Sequence, residues 1–92
     1  MEINFANAGS MQLDALVMAR GEYCVEVVAP GECIAFVLVH GCLQITRQRA
    51  DEPAAYCLHT TPRAPLFIIN PGTYTVVAER SALGLRGTRR RR

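Results

Sequence analysis

Glycine, proline, asparagine and aspartate recur in this chain about every ten residues: NAGS at 7 to 10, RGE at 20 to 22, PGE at 30 to 32, HG at 40 to 41, ADEPA at 50 to 54, TTPRAP at 60 to 65 and NPG at 70 to 72. The segments between these breaks are too short for ordinary helices and rich in β-branched and aromatic residues. That is the pattern of short strands joined by turns. The expected architecture is therefore all-β, a small single-domain sandwich or barrel of about seven short, mainly antiparallel strands.

Residues 22 to 29, EYCVEVVA, place Tyr23, Val25, Val27 and Ala29 on one face and Cys24, Glu26 and Val28 on the other. CIAFVLV at 33 to 39 is apolar on both faces, as expected of a strand covered on both sides by the fold or by a neighbouring subunit. Together with LFII at 66 to 69 it supplies the predicted core and subunit interface: Ile34, Phe36, Leu38, Phe67 and Ile69. Gly41 suits either a hairpin turn or a bulge. After it, LQITRQ alternates with Leu43 and Ile45 inward. AYCLHT at 55 to 60 gives a further strand. Pro71 and Gly72 suit the central positions of a type II turn leading into alternating Tyr74, Val76 and Ala78, and ALGL at 82 to 85 gives a last short strand. In MQLDALVMA, 11 to 19, Met11, Leu13, Ala15 and Val17 fit one face of a strand, whereas Leu13, Leu16 and Val17 fit one face of a helix; strand is expected.

With 92 residues, half of them hydrophobic and 20% charged, the chain is near the lower size at which one core folds without metals or disulfides. So apolar a composition in so small a domain implies burial against partner subunits. Cys24, Cys33, Cys42 and Cys57 lie inside apolar runs with no C-x-x-C pair and no zinc-like spacing, and are expected to be reduced core or interface residues. The first ten residues lack the basic and apolar regions of a signal peptide, and CIAFVLV is too short to cross a bilayer. Cytoplasmic synthesis and no membrane partner are expected.

Charge is divided unevenly. Residues 1 to 85 carry five arginines against eight acids, a formal −3, while residues 86 to 92 carry five arginines and no acid, a formal +5. A β domain over 1 to 85 and a basic tail over 86 to 92 are expected. Arg86, Arg89, Arg90, Arg91 and Arg92 are the predicted partner-binding residues, clasping carboxylates on another copy of the chain or on a different structural protein with an acidic surface. The alternative is nucleic acid, because each arginine that neutralises a phosphate releases counterions. An acidic body without a recognition helix or an aromatic RNA-binding pattern argues against a sequence reader.

Catalytic patterns are sparse. Only His40 and His59 are available as imidazoles, no serine stands in a nucleophile elbow, and the chain has no lysine for a phosphate loop or a Schiff base. A Cys42 or Cys57 thiolate could meet a histidine only if the strands paired suitably. No catalytic residue, metal or cofactor is predicted. The turn and strand pattern resembles a minimal cupin-type barrel, but His-x-His and a downstream glutamate at ligand spacing are missing, so that metal chemistry is not carried over. GEY at 21 to 23 is similar to very small cupin-like barrels with nucleoside phosphorylase activity, the second alternative. It would need Arg47, Arg49 and Arg63 as phosphate donors; the stronger reading of Arg47 and Arg49 is as outward residues that blunt an edge strand. The leading expectation is a non-enzymatic structural or assembly protein, in its most concrete form a small phage virion component of the capsid-decoration, cement or fibre-base type.

Overall fold

A computed structural model describes residues 2–5, 9–47 and 56–89, and the side chains of 11–47 and 57–89. Among the described residues seven strands follow one another: β1 (Glu2–Phe5), β2 (Gly9–Met18), β3 (Tyr23–Val28), β4 (Cys33–Arg47), β5 (Tyr56–Thr60), β6 (Leu66–Ile68) and β7 (Gly72–Arg89). Every pairing is antiparallel, as expected for an all-β chain of this turn spacing. β7 is the hub, bonded to β2, β3 and β4, and β4 also holds β5 and β6.

Two strands are much longer than the turn spacing suggests. β4 runs through Gly41, and β7 joins the NPG-led strand, ALGL and the start of the basic segment into 18 residues. Gly41 is therefore a bulge position and not a hairpin turn. The β4–β7 register slips between Leu38 and His40, His40 and Cys42, and Cys42 and Leu43. Gly41 has φ +93°, and a Cβ there would lie 2.2 Å from the Ser81 carbonyl oxygen, so only glycine fits.

This bulged zone folds the sheet over on itself. Glu26 pairs with Tyr74 across β3 and β7, and Arg86 lies twelve residues further along β7, about 40 Å if the strand were straight. Yet the Arg86 guanidinium bonds to the Glu26 carboxylate. β7 must therefore turn back, and β4 with it. One half of the folded sheet holds β1, β2, the end of β7, the start of β4 and β6. The other holds β3, the start of β7, the end of β4 and β5.

The core fills the space between the halves. Leu16, Met18, Ile34, Phe36, Leu38, Ile68 and Ala82 come from the first half, and Val28, Leu43, Ile45, Tyr74, Val76 and Ala78 from the second. The strand expected over 11 to 19 is present as β2, Gly9–Met18, but its buried side chains change face: Leu16 and Met18 point to the core while Met11 packs behind the sheet on Cys33 and Ala35. Ile34, Phe36 and Leu38 are buried as expected. Phe67 and Ile69 are not core residues; they are 51% and 65% exposed, and Ile68 faces inward instead. β6 is three residues long, pairs with β4 among the described residues, and turns Phe67 to the outer face of the sheet. Nor are Pro71 and Gly72 the centre of a type II turn. Gly72 already pairs with Val28 as the first residue of β7, at φ +158° where that turn needs about +80°.

Candidate functional site

The outer face of the first half is apolar across three strands. Register places Leu13, Gly87, Ala35 and Phe67 in one row, Ala15, Leu85 and Val37 in the next, and Val17 beside Leu83 in a third. Val17, Val37, Phe67, Leu83 and Leu85 are between 38% and 72% exposed. Gly87 makes this surface uneven. Without a side chain it leaves a dip of about 110 Å³ walled by Leu13, Phe67 and Leu85, among others. CIAFVLV sends Ile34, Phe36 and Leu38 into the core and leaves Val37 on the open face.

The predicted arginine clasp is rearranged. Arg86 is not in a tail but in β7, so a boundary after residue 85 falls within a strand. Its alternation points it inward, where Nε and Nη2 donate to the two carboxylate oxygens of Glu26 on β3, the second at 2.7 Å. Asp14 on β2 adds a carboxylate oxygen 3.8 Å from Nη1. Hydrogen bonding to Glu26 raises the Arg86 pKa above the ordinary guanidinium value against the opposing effect of burial. Arg86 therefore closes one end of the fold within its own chain. Arg89 ends β7 opposite Cys33, and Arg90, Arg91 and Arg92 lie outside the described residues. The only sequence signal for this pair is a carboxylate, Glu26, between Cys24 and Val28 on one strand face, which needs a cation if that face is buried; that the cation is Arg86 depends on the fold.

A third group of side chains lies on the outer face of the second half. Gln44 and His59 are directly paired, as are Thr46 and Cys57. At the register slip between Cys42 and Leu43, Glu79 is the unpaired residue of β7. Its Oε1 accepts from His59 Nδ1 at 2.8 Å and from the Cys42 thiol at 3.5 Å. Cys57 Sγ is 3.8 Å from His59 Nε2 and accepts from Gln44 Nε2 at 3.4 Å. Burial and the hydrogen bond and charge of Glu79 push the Cys42 thiol up. Sequence spacing could not find Glu79, because its position depends on a bulge. The four cysteines are unbridged; Cys33 is buried, Cys24 and Cys42 are half-buried, and Cys57, expected in the core or an interface, is exposed.

The phosphate site that a phosphorylase would need is not assembled by register. Arg47 pairs at the start of β5 and Arg63 follows its end, so the two sit at opposite ends of that strand, while Arg49 lies outside the described residues. The inward positions of an interior metal site are likewise filled differently. Among the described residues they carry Phe36, Leu43, Ile45, Tyr74 and Val76, with the Glu26–Arg86 pair at one end.

No protein-family model and no curated protein matches this chain. Solved structures share its fold. A cupin superfamily protein from Desulfitobacterium hafniense superposes with TM-score 0.66 at 15% identity, over 96% of this chain and 74% of that one. The capsular polysaccharide assembling protein CapF from Staphylococcus aureus gives 0.68 at 10% identity, over 99% of this chain and 29% of that one. A cAMP-binding acyltransferase from Mycobacterium smegmatis gives 0.53 at 26% identity, over 83% of this chain and 25% of that one. The chain is thus similar in fold to cupins, and spans less than a third of the two larger proteins.

Proposed function

We propose that this protein is a non-enzymatic assembly module that associates with a second copy of itself through the outer face of β2, β7 and β4. The observation that carries the proposal is the three-row apolar surface of Leu13, Ala15, Val17, Val37, Phe67, Leu83 and Leu85. A two-fold contact suits it, since each copy would cover the other's rows with its own. The five exposed large side chains among these amount to about 2.5 fully exposed ones per subunit. At about 1.5–3 kcal/mol each, two copies gain roughly 8–15 kcal/mol. Association costs of about 4–15 kcal/mol offset much of this, so the face supports a dimer of micromolar rather than picomolar strength.

The arginines have a smaller part than the sequence suggested. Arg86 is committed to Glu26, which leaves the segment after β7 to clasp a partner or to contact nucleic acid. A phage capsid-decoration or fibre-base component is one specific form of such a module, tested by looking for the chain in purified particles. The general proposal is tested by light scattering over a concentration series. A mass moving from monomer to dimer between about 1 and 100 μM supports it; a monomer at several hundred micromolar overturns it.

A further inference from the structure

We infer that Cys42, His59 and Glu79 form a binding site for a single divalent transition-metal ion of the zinc class. The three residues come from β4, β5 and β7, and their Sγ, ring nitrogen and carboxylate oxygen lie within 4.8 Å of one another. Two separations are shorter: 3.5 Å from Cys42 Sγ to Glu79 Oε1 and 2.8 Å from His59 Nδ1 to the same oxygen. Ligands around a tetrahedral zinc stand about 3.4 Å apart for bonds of about 2.0–2.3 Å. Side-chain shifts of an ångström or less reach that spacing, and these side chains are free to make them, His59 being 52% and Glu79 39% exposed. One thiolate, one imidazole and one carboxylate is a borderline-soft donor set, suited to zinc or cobalt(II) rather than to magnesium or calcium.

The surroundings complete the site. With Nδ1 on the metal, His59 Nε2–H faces Cys57 Sγ, 3.8 Å away, and Gln44 holds that sulfur from the other side. Such a partner on the far ring nitrogen orients a metal-bound histidine. The fourth position opens to a groove of about 510 Å³ lined by Gly41, Cys42, Thr61, Pro62, Glu79 and Arg80. Cys42 and Glu79 line this groove, and the exposed His59 and Cys57 lie beside it. This favours metal binding over a nucleophilic role for Cys57, which would need its own cleft and oxyanion donors. The site lies on the outer face of the second half and is independent of the self-association face.

The test is titration of the full-length, chelator-stripped and reduced protein with cobalt(II), followed by zinc competition. One equivalent of cobalt should saturate the protein and produce a sulfur-to-metal charge-transfer band. Cys42→Ser should abolish the band, and Cys42→Ser, His59→Gln and Glu79→Gln should each weaken zinc binding by about a hundredfold or more. Cys57→Ser should keep the band and lose about tenfold, the effect of an outer partner. Absence of saturable binding, a band that survives Cys42→Ser, or one that depends on Cys57 instead would overturn the inference. Circular dichroism of each variant separates loss of ligand from loss of fold.

Discussion

Replacing Glu26 by leucine leaves the Arg86 guanidinium at the end of the core without its bidentate partner. The Glu26 side chain is 13% exposed and that of Arg86 24%. Removing one member of a fully buried pair costs about 3–5 kcal/mol. Here the partial exposure of Arg86, and Asp14 at 3.8 Å, reduce the expected loss to about 2–3 kcal/mol. For a domain of this size that lowers the Tm by about 10–20 °C, read by far-ultraviolet circular dichroism. The double variant Glu26→Leu/Arg86→Met removes both charges from an apolar setting and should recover most of the loss, so that the coupling is at least about 2 kcal/mol and exceeds that by whatever Arg86→Met costs alone. Because the Arg86 pKa is raised, its contribution is fully present below the ordinary guanidinium value and is lost only as pH rises through the raised one. The cycle should therefore read the same from pH 6 to 9. If the two single losses simply added in the double variant, Arg86 would not depend on Glu26, and the pair's role in closing the fold would be refuted.

Other consequences follow from the same geometry. Gly84→Ala would put a Cβ 2.2 Å from the Val37 carbonyl oxygen, where β7 crosses β4, and should cost at least about 3 kcal/mol in urea denaturation; a cost under about 1 kcal/mol contradicts so close an approach. Tyr74→Phe removes the hydroxyl that donates to the Asn70 carbonyl at 2.6 Å from a buried ring and should lower stability by about 1 kcal/mol, or about 4–8 °C in Tm. Among the thiols, exposed Cys57 should react first with a thiol reagent at pH 8, as peptide mapping would show. Cys24, Cys33 and Cys42 are pushed up, chiefly by burial, and should react appreciably only in more alkaline solution. The folded state keeps these protons where the unfolded chain has lost them, so their contribution is present at neutral pH and declines as pH rises past the ordinary thiol range.

Local alternation carried most of the fold. The β class, the positions of β2, β3 and β6, and the inward set Leu43, Ile45, Tyr74, Val76 and Ala78 were all visible in the sequence. Period-two patterning could not reveal that Gly41 lets β4 continue, because glycine marks a turn and a bulge alike. Nor does it tell which face of a two-faced apolar run is covered. LFII buries Ile68 between the two halves, whereas Phe67 lies on the outer face, which no second layer covers among the described residues, and Ile69 follows the end of β6. Arg86 was grouped with Arg89 to Arg92 by proximity along the chain, whereas its partner Glu26 is 60 residues away and reaches it through the fold in β7. The Cys42–His59–Glu79 cluster needed three strands and a register slip, which no sequence spacing encodes.

Self-association through the apolar rows is tested most directly by comparing sedimentation of the native protein with Leu83→Glu and with Thr75→Glu as a control. Leu83 is 48% exposed beside Val17 on the proposed contact face, and Thr75 is exposed between Val25 and Thr46 on the other half. At about 50 μM the native protein and Thr75→Glu should sediment as dimers, and Leu83→Glu as a folded monomer. A native monomer at that concentration, or a Leu83→Glu protein that remains as dimeric as the native one, would contradict the proposal.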